Sequence, residues 1–478
     1  MERRTFLKSG TAAAALGIIS PASASPPVIL DLDTRVIDVN GEPASVLGIR
    51  QPNGVYGIET DVTQPFHVQV RNRLNTLSLI HWHGLTPPFR QDGVPFVSAP
   101  PIPAGASQDY DFKLDFDGTF WMHSHQGFQE QELLSAPLII HGSKRDARQE
   151  VVVMLHDFTF KNPESIMEAL RSAGVGGSAA PAANATPAPS GSSGMAMQGQ
   201  KPDLNDVDFD AFLANDRTLA DPEVVRVEPG ARLRLRLING SAATNYWIDF
   251  GTLRGTLVAV DGTAIKPIAP GIMPLVIAQR ADILIDLPPG QGAYPILAQV
   301  EGKTDRTGIV LATANATIQR IADKADQESP PVGLALELRL SAAEPLTPRR
   351  ADIVRDIPLT GNMQKYIWMM NNQVYPNITP VMVSAGKRVE FVMQNKTMMS
   401  HPMHLHGHRF QVVEINGKRF QGAVRDTVMV PPLTTVTIAF DTDNPGRWAF
   451  HCHNLYHLEA GMMTVVDYTG IPMPKTLT

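Results

Sequence analysis

The 478-residue chain has one cysteine, Cys452. A lone cysteine excludes an internal disulfide, and in an oxidising compartment its thiol is a liability unless something shields it. Charge is also scarce: charged residues make up 18%, and 41 Lys and Arg stand against 47 Asp and Glu, a formal net charge of -6. That balance carries no nucleic-acid footprint. Long apolar runs are missing as well. The run Thr11–Ser20 is too short and too alanine-rich for a membrane span, and no other stretch approaches spanning length. Aromatic residues reach only 6%, yet hydrophobic residues reach 43%, which suits a large globular protein with ample core. Proline (39) and glycine (37) are plentiful and mark frequent turns.

What surrounds the short apolar run points to export. Glu2-Arg3-Arg4-Thr5-Phe6-Leu7-Lys8 resembles a twin-arginine signal, and Ala22-Ser23-Ala24 offers a small-residue cleavage site. Residues 1–24 are therefore expected to be a signal peptide outside the fold. The twin-arginine export machinery is an expected partner, and a periplasmic location follows.

Histidine is the informative residue. The chain has 14, and ten fall in four tight groups: His81-Trp82-His83, His123-Ser124-His125, His401 with His404 and His406, and His451-Cys452-His453 with His457. One isolated His-x-His is most simply two surface or core imidazoles; four groups with the only cysteine inside one are not coincidence. In an extended strand His451 and His453 point one way and Cys452 the other, so one strand can serve two metal sites. His401, Cys452, His457 and Met462 supply the His₂Cys set with a weak axial thioether that makes a blue-copper centre. Eight histidines are then left over, enough for three more ions at two or three imidazoles each. His67, His141, His156 and His408 lack a partner at ligand spacing and read as satisfied imidazoles, with His408 able to orient a neighbour.

The spacing also repeats along the chain. Asn72 precedes His81 by nine residues, Asn395 precedes His404 by nine, and nine beyond Asn239 stands Ile248. Gly118 and Gly446 each stand five before His123 and His451, and Gly292 stands five before Leu297. Three copies of one β unit follow, with ligands in the first and third, and the middle copy acts as spacer and packing partner. Alternating segments such as 67–70, 232–237 and 389–392 predict antiparallel β-sandwiches. A turn or two of helix is expected at Pro163–Ser172. Residues 173–202, rich in Ala, Gly, Ser and Pro, are expected to be a flexible loop in which Met195 and Met197 could catch Cu(I). The expected domains are 25–148, 149–328 and 329–478.

From about residue 30 onward this pattern resembles the three-domain multicopper oxidases: laccases, bacterial cuprous oxidases and copper-resistance oxidases. The resemblance implies an all-β fold of three cupredoxin-like antiparallel β-sandwich (Greek-key barrel) domains, four copper ions, and O₂ as a partner reduced to water. It implies that His81 and His404 hold a type 2 copper, and that His83, His123, His125, His406, His451 and His453 hold a type 3 pair. His401, Cys452, His457 and Met462 match the type 1 site. Asp92, before Gly93, resembles the family's acid beside the type 2 copper, with a simple Asp-Gly turn as the plainer reading. Glu459 is a second candidate for moving protons, while Asp426 reads as structural. One departure stands out: Glu132-Leu133-Leu134-Ser135-Ala136-Pro137 replaces the glycine-rich turn common after the second motif.

The electron donor divides the expectations. A laccase-like enzyme would oxidise phenols or aromatic amines, and the ending His457-Leu458-Glu459-Ala460-Gly461-Met462 looks like laccases. The alternative is a periplasmic cuprous oxidase serving copper tolerance, favoured by export and by Met398, Met399 and Met403 around His401, with Met363, Met369 and Met370 able to join them. Against it, the long Met-rich insertion of bacterial cuprous oxidases is absent, and Leu458 stands where they usually carry an acid. A non-catalytic exported scaffold is a third reading, but such relatives have lost ligands and none is missing here. A monomer is expected.

Overall fold

The three alternating segments each become a strand that ends on the repeated asparagine: Pro65–Asn72, Arg232–Asn239 and Arg388–Asn395. Alternate side chains such as Phe66, Val68 and Val70 are buried, which selects the face each strand turns inward. Each asparagine does the same work. Its Oδ1 accepts from the N–H two residues on (Leu74, Ser241, Thr397). Its Nδ2 donates to a carbonyl four or five residues on and to a distant strand carbonyl (Ile102, Leu275, Val430), all at 2.7–3.1 Å. The repeated Asn is thus a turn-closing device, independent of metal, which is why the ligand-free copy keeps it.

The computed structural model describes residues 26–176 and 204–472. The expected signal peptide 1–24 lies outside the described residues, as does 177–202 of the expected 173–202 loop, with Met195 and Met197; its first residues, 173–176, are helical instead. Each repeat builds two facing sheets of one topology. In the first sheet the Asn-ending strand lies between a parallel neighbour (Val28–Val39, Gln149–Phe158, Ile353–Asn362) and an antiparallel one (Ser107–Lys113, Arg280–Asp286, Thr435–Asp441). The second sheet runs Ile58–Asp61, Ser135–His141, Gly118–Ser124, Ile80–His83 in the first repeat, with counterparts in the same order in the other two. The sandwiches are therefore mainly antiparallel with one parallel pairing per sheet. The chain crosses to the opposite sheet and returns beside its first strand pointing the same way, as a Greek key requires. Each sandwich holds its own apolar core.

The second sheets position the histidines. His81 pairs across strands with His123, and His404 with His451. In the middle repeat Ile248 faces Ala298 rather than Leu297. The counterparts of those histidines therefore point to opposite faces, so substituting histidine there would not rebuild a site. Two helices matter. The expected short helix runs longer, as α1 (Pro163–Gly176), and buries Ile166 and Met167 in the core of the third repeat beside Trp368 and Met370. A second, α2 (Leu455–Glu459), carries His457 of the last histidine group and is capped by Asn454, whose side chain accepts from the N–H groups of Tyr456 and His457.

Gly93 and Gly54 have φ of +86° and +87°, yet a Cβ at Gly93 would lie 1.8 Å from the Ile80 carbonyl oxygen, whereas at Gly54 it would meet nothing within 4 Å. Denaturant melts of the metal-free protein should show a loss of about 1 kcal/mol for Gly54→Ala and about 3 kcal/mol or more for Gly93→Ala. Equal losses would contradict this packing of the Asp92–Gly93 loop against the His81 strand.

Candidate metal centre

Eight histidines meet at the seam between the first and third repeats; seven are buried and His125 is half-buried. Their hydrogen bonds show which nitrogen of each is free. His81 and His404 donate from Nδ1 to the main-chain carbonyls of Asp92 (2.7 Å) and Asp426 (2.9 Å), and their Nε2 atoms lie 3.4 Å apart. His406 donates from Nδ1 to Asp92 Oδ2 (2.9 Å) and His451 from Nδ1 to the Cys452 carbonyl (2.9 Å). The Nε2 atoms of these two lie 2.9 Å apart, and that of His125 lies 3.4 Å from that of His451. His123 donates from Nδ1 to the Ser124 carbonyl (3.0 Å), with Glu130 Oε2 2.8 Å from the same nitrogen, and His83 donates from Nε2 to Asp426 Oδ1 (3.1 Å). His83 Nδ1, His123 Nε2 and His453 Nε2 are left buried with no hydrogen-bond partner, and the rings of His83 and His123 each stand 5.0 Å from that of His453.

Carbonyl and carboxylate oxygens only accept, so the nitrogens facing inward carry lone pairs. Lone pairs facing one another in a dry interior repel, and protonation does not relieve them. Burial pushes His83, His123, His125, His404, His406 and His453 well below the ordinary imidazole range, and His451 to about 3. Metal cations fit what remains: two imidazoles in one group and three in each of two others, six of the eight with the second nitrogen bonded to a neighbouring oxygen.

A smaller group lies in the third repeat. His401 Nδ1 and His457 Nδ1 are 3.2 Å apart, and Cys452 Sγ lies 3.7 and 3.6 Å from them. His401 Nε2 bonds Thr397 Oγ1 (2.9 Å), and His457 Nε2 bonds Asp206 Oδ2 (2.8 Å). Met462 is buried in the same core cluster as Cys452. Burial pushes the Cys452 thiol above its ordinary range, a cost that a soft cation bound to the thiolate would offset. At the end of strand Arg447–Cys452, Cys452 turns to this group while His451 turns to the eight, and His453, one residue past the strand, joins them beside His83 and His123.

Of the two acids expected to move protons, the structure brings only one to the histidines. Asp92 is fully buried and touches both His81 and His406. Glu459 is exposed at the end of α2, and among the described residues no hydrogen bond or ion pair joins it to a clustered histidine; its carbonyl accepts from Arg171. Asp426 is more than structural, since it accepts from His83 and its carbonyl orients His404. His408 bonds the His406 carbonyl (3.0 Å) and Tyr468 (2.7 Å), an orienting contact as expected; His141 bonds Glu59, and His156 bonds Ser135 through Nε2 while its buried Nδ1 has no partner, so it is only half satisfied. Two acids escaped the sequence reading. Glu130 sits in the turn where the glycine-rich segment is missing and Leu133 takes a positive φ of 67°. Asp206 comes from the middle repeat, 251 residues from the histidine it holds. The polar run Gln129-Glu130-Gln131, starting four residues after His125, was the only local signal for the first.

Three family models described as multicopper oxidase match residues 37–145, 149–322 and 351–470. The multicopper oxidase MmcO of Mycobacterium tuberculosis is 30% identical over 441 residues, spanning 90% of this chain and 85% of that protein. Copper resistance protein A of Escherichia coli is 27% identical over 608 residues, spanning 97% and 98%. In fold, the chain is similar to the crystal structure of Fet3p, a multicopper oxidase that functions in iron import, with a TM-score of 0.76 at 19% identity over 94% of this chain and 92% of that one.

Glu130→Leu removes the carboxyl that lies 2.8 Å from His123 Nδ1, beside its bond to the Ser124 carbonyl. Chelator competition should show copper affinity at the eight-histidine centre falling roughly 10–100-fold, the usual effect of losing a partner behind a ligand. Unchanged affinity would mean that the Ser124 carbonyl alone suffices.

Proposed function

The chain belongs to the multicopper oxidase family, three cupredoxin-like domains that take electrons from a reducing substrate and deliver them to O₂, and on that premise we propose that it holds four coppers and oxidises Cu(I). His401, Cys452, His457 and Met462 would hold the type 1 ion. His81 and His404 would hold the type 2 ion, and the remaining six imidazoles the type 3 pair. When bound, the coppers supply the one-electron redox chemistry and the O₂-binding site that no side chain offers. The chain's own residues fix the tautomers, exclude water from the seam, and join the two sites through the main chain of His451-Cys452-His453. Asp92, buried against His81 and His406, is the acid placed to hold a proton there.

The donor reading rests on one observation: the His457 imidazole is wholly covered. Its side chain has 0% exposure, with Asp206 bonded to Nε2 at 2% exposure and the Trp368 ring 4.3 Å away. Tyr366 closes the same side, donating from its hydroxyl to Asp206 at 2.7 Å. A phenol cannot lay its ring against a ligand so enclosed, while the negative charge of the Asp206 carboxylate bonded to it draws small cations toward this side of the site. The similarity to copper resistance protein A supports the same donor. The laccase-like ending weighs the other way, and Met370, Met399 and Met403 lie in the apolar core, so they lend the Cu(I) reading no support. Twin-arginine export to the periplasm, a role in copper tolerance and a monomeric state complete the proposal. No helix among the described residues is long and apolar enough to cross a membrane.

Oxygen uptake by the copper-loaded protein tests the donor. kcat/KM for Cu(I) should exceed that for a simple phenol, and Asp206→Asn should lower the Cu(I) value about tenfold, on the order of 1.4 kcal/mol, while changing the phenol value less. A higher value for the phenol, unaffected by Asp206→Asn, would return the donor to the phenols.

A further inference from the structure

The middle repeat has no histidine group, yet one of its side chains reaches the eight-histidine centre. Arg280 is completely buried at the start of strand Arg280–Asp286. Its guanidinium is shared among all three repeats. Nε donates to the Thr119 carbonyl of the first (3.3 Å) and Nη1 to the Ala278 carbonyl of its own (2.9 Å). Nη1 and Nη2 together grip the two carboxylate oxygens of Asp426 in the third, Nη1 at 2.9 Å from Oδ1. Asp261, whose Oδ1 lies 3.7 Å from Nη1, adds a second carboxylate behind it. Gly84, next to His83, makes room for this fork: with φ of +90°, a Cβ there would lie 2.5 Å from Arg280 Nη2 and 2.7 Å from Asp426 Oδ2.

A bidentate fork fixes a carboxylate's plane as well as its place. Held in this way, Asp426 Oδ1 also accepts from Thr427 Oγ1 (2.9 Å) and from His83 Nε2 (3.1 Å). A carboxylate oxygen only accepts, so the His83 proton stays on Nε2 and the partnerless Nδ1 faces the other imidazoles. We infer that Arg280 is a positioning residue for this centre: by clamping Asp426 it decides which nitrogen of His83 is offered to a metal. The inference rests on the copper-cluster reading above. Lysine at 280 keeps the charge and loses the fork. Arg236 is a matched control. It is buried and ties the first repeat to the middle one through Thr119 Oγ1, Glu150 and Asp282, without a bond to Asp426 or to any clustered histidine.

The test compares copper-loaded Arg280→Met, Arg280→Lys and Arg236→Met with the parent. The readouts are copper-to-protein ratio, blue absorption, electron paramagnetic resonance, and melting of the copper-free proteins. Arg280→Met should lose copper from the cluster, its affinity in chelator competition falling roughly 10–100-fold, while the blue band keeps its intensity. Arg280→Lys should fall between parent and methionine variant, with an altered resonance signal. Arg236→Met should melt lower and keep the parent's copper ratio and signal. Parent-like cluster affinity and resonance in Arg280→Met, or an equal copper loss in Arg236→Met, would overturn the inference. If Arg280→Met does not fold, Arg280→Lys decides alone, and a parent-like signal there overturns it. A parent that loads only its blue site would instead overturn the cluster reading itself, a result distinct from all of these.

Discussion

Lone-pair nitrogens turned toward one another in a buried seam set the terms for everything else in this molecule. Imidazoles 2.9 to 3.4 Å apart repel unless a cation lies among them, and burial denies them the proton. The arrangement survives because outward nitrogens are tied to oxygens that accept, including the carbonyls of Asp92, Ser124, Asp426 and Cys452 and the carboxylates of Asp92 and Asp426. Those ties choose the tautomers before any metal arrives. Preorganisation of this kind places the cost of ordering in the fold rather than in the binding step.

The same demand explains why three domains are needed when only two carry ligands. The first and third repeats each bring two His-x-His pairs, and the seam between them must hold its registration closely. The middle repeat supplies that registration with buried charge. Arg280 meets Asp426, Arg425 meets Asp261 and Glu337, and Arg236 meets Thr119. Buried pairs are a weak source of net stability, but removing one partner leaves an uncompensated charge, so they penalise misdocking strongly. The middle repeat also sends Asp206 to His457. A role as mere spacer understates it.

The ligands were legible because each set lies on one strand or one turn, where spacing alone dictates the facing of side chains. The repeat was legible for a related reason, since Asn72, Asn239 and Asn395 each close a local turn. What could not be read was whatever depends on docking. Arg280 and Asp426 are 146 residues apart and meet only after three sandwiches have packed. Glu130 was hidden by an unfamiliar turn, and Glu459 drew attention by standing two residues from a ligand although α2 carries it to the surface. The missing histidines of the middle repeat were plain from composition. The one-residue shift in its strand pairing, which turns Leu297 away from the face of Ile248, was not.

The most direct measurement is anomalous diffraction at the copper absorption edge from crystals of the copper-loaded protein. The account predicts one peak among His401, Cys452 and His457, and three more among the eight imidazoles at the seam of the first and third repeats. A seam that stays empty, or that holds a single ion while the blue site is full, would contradict it.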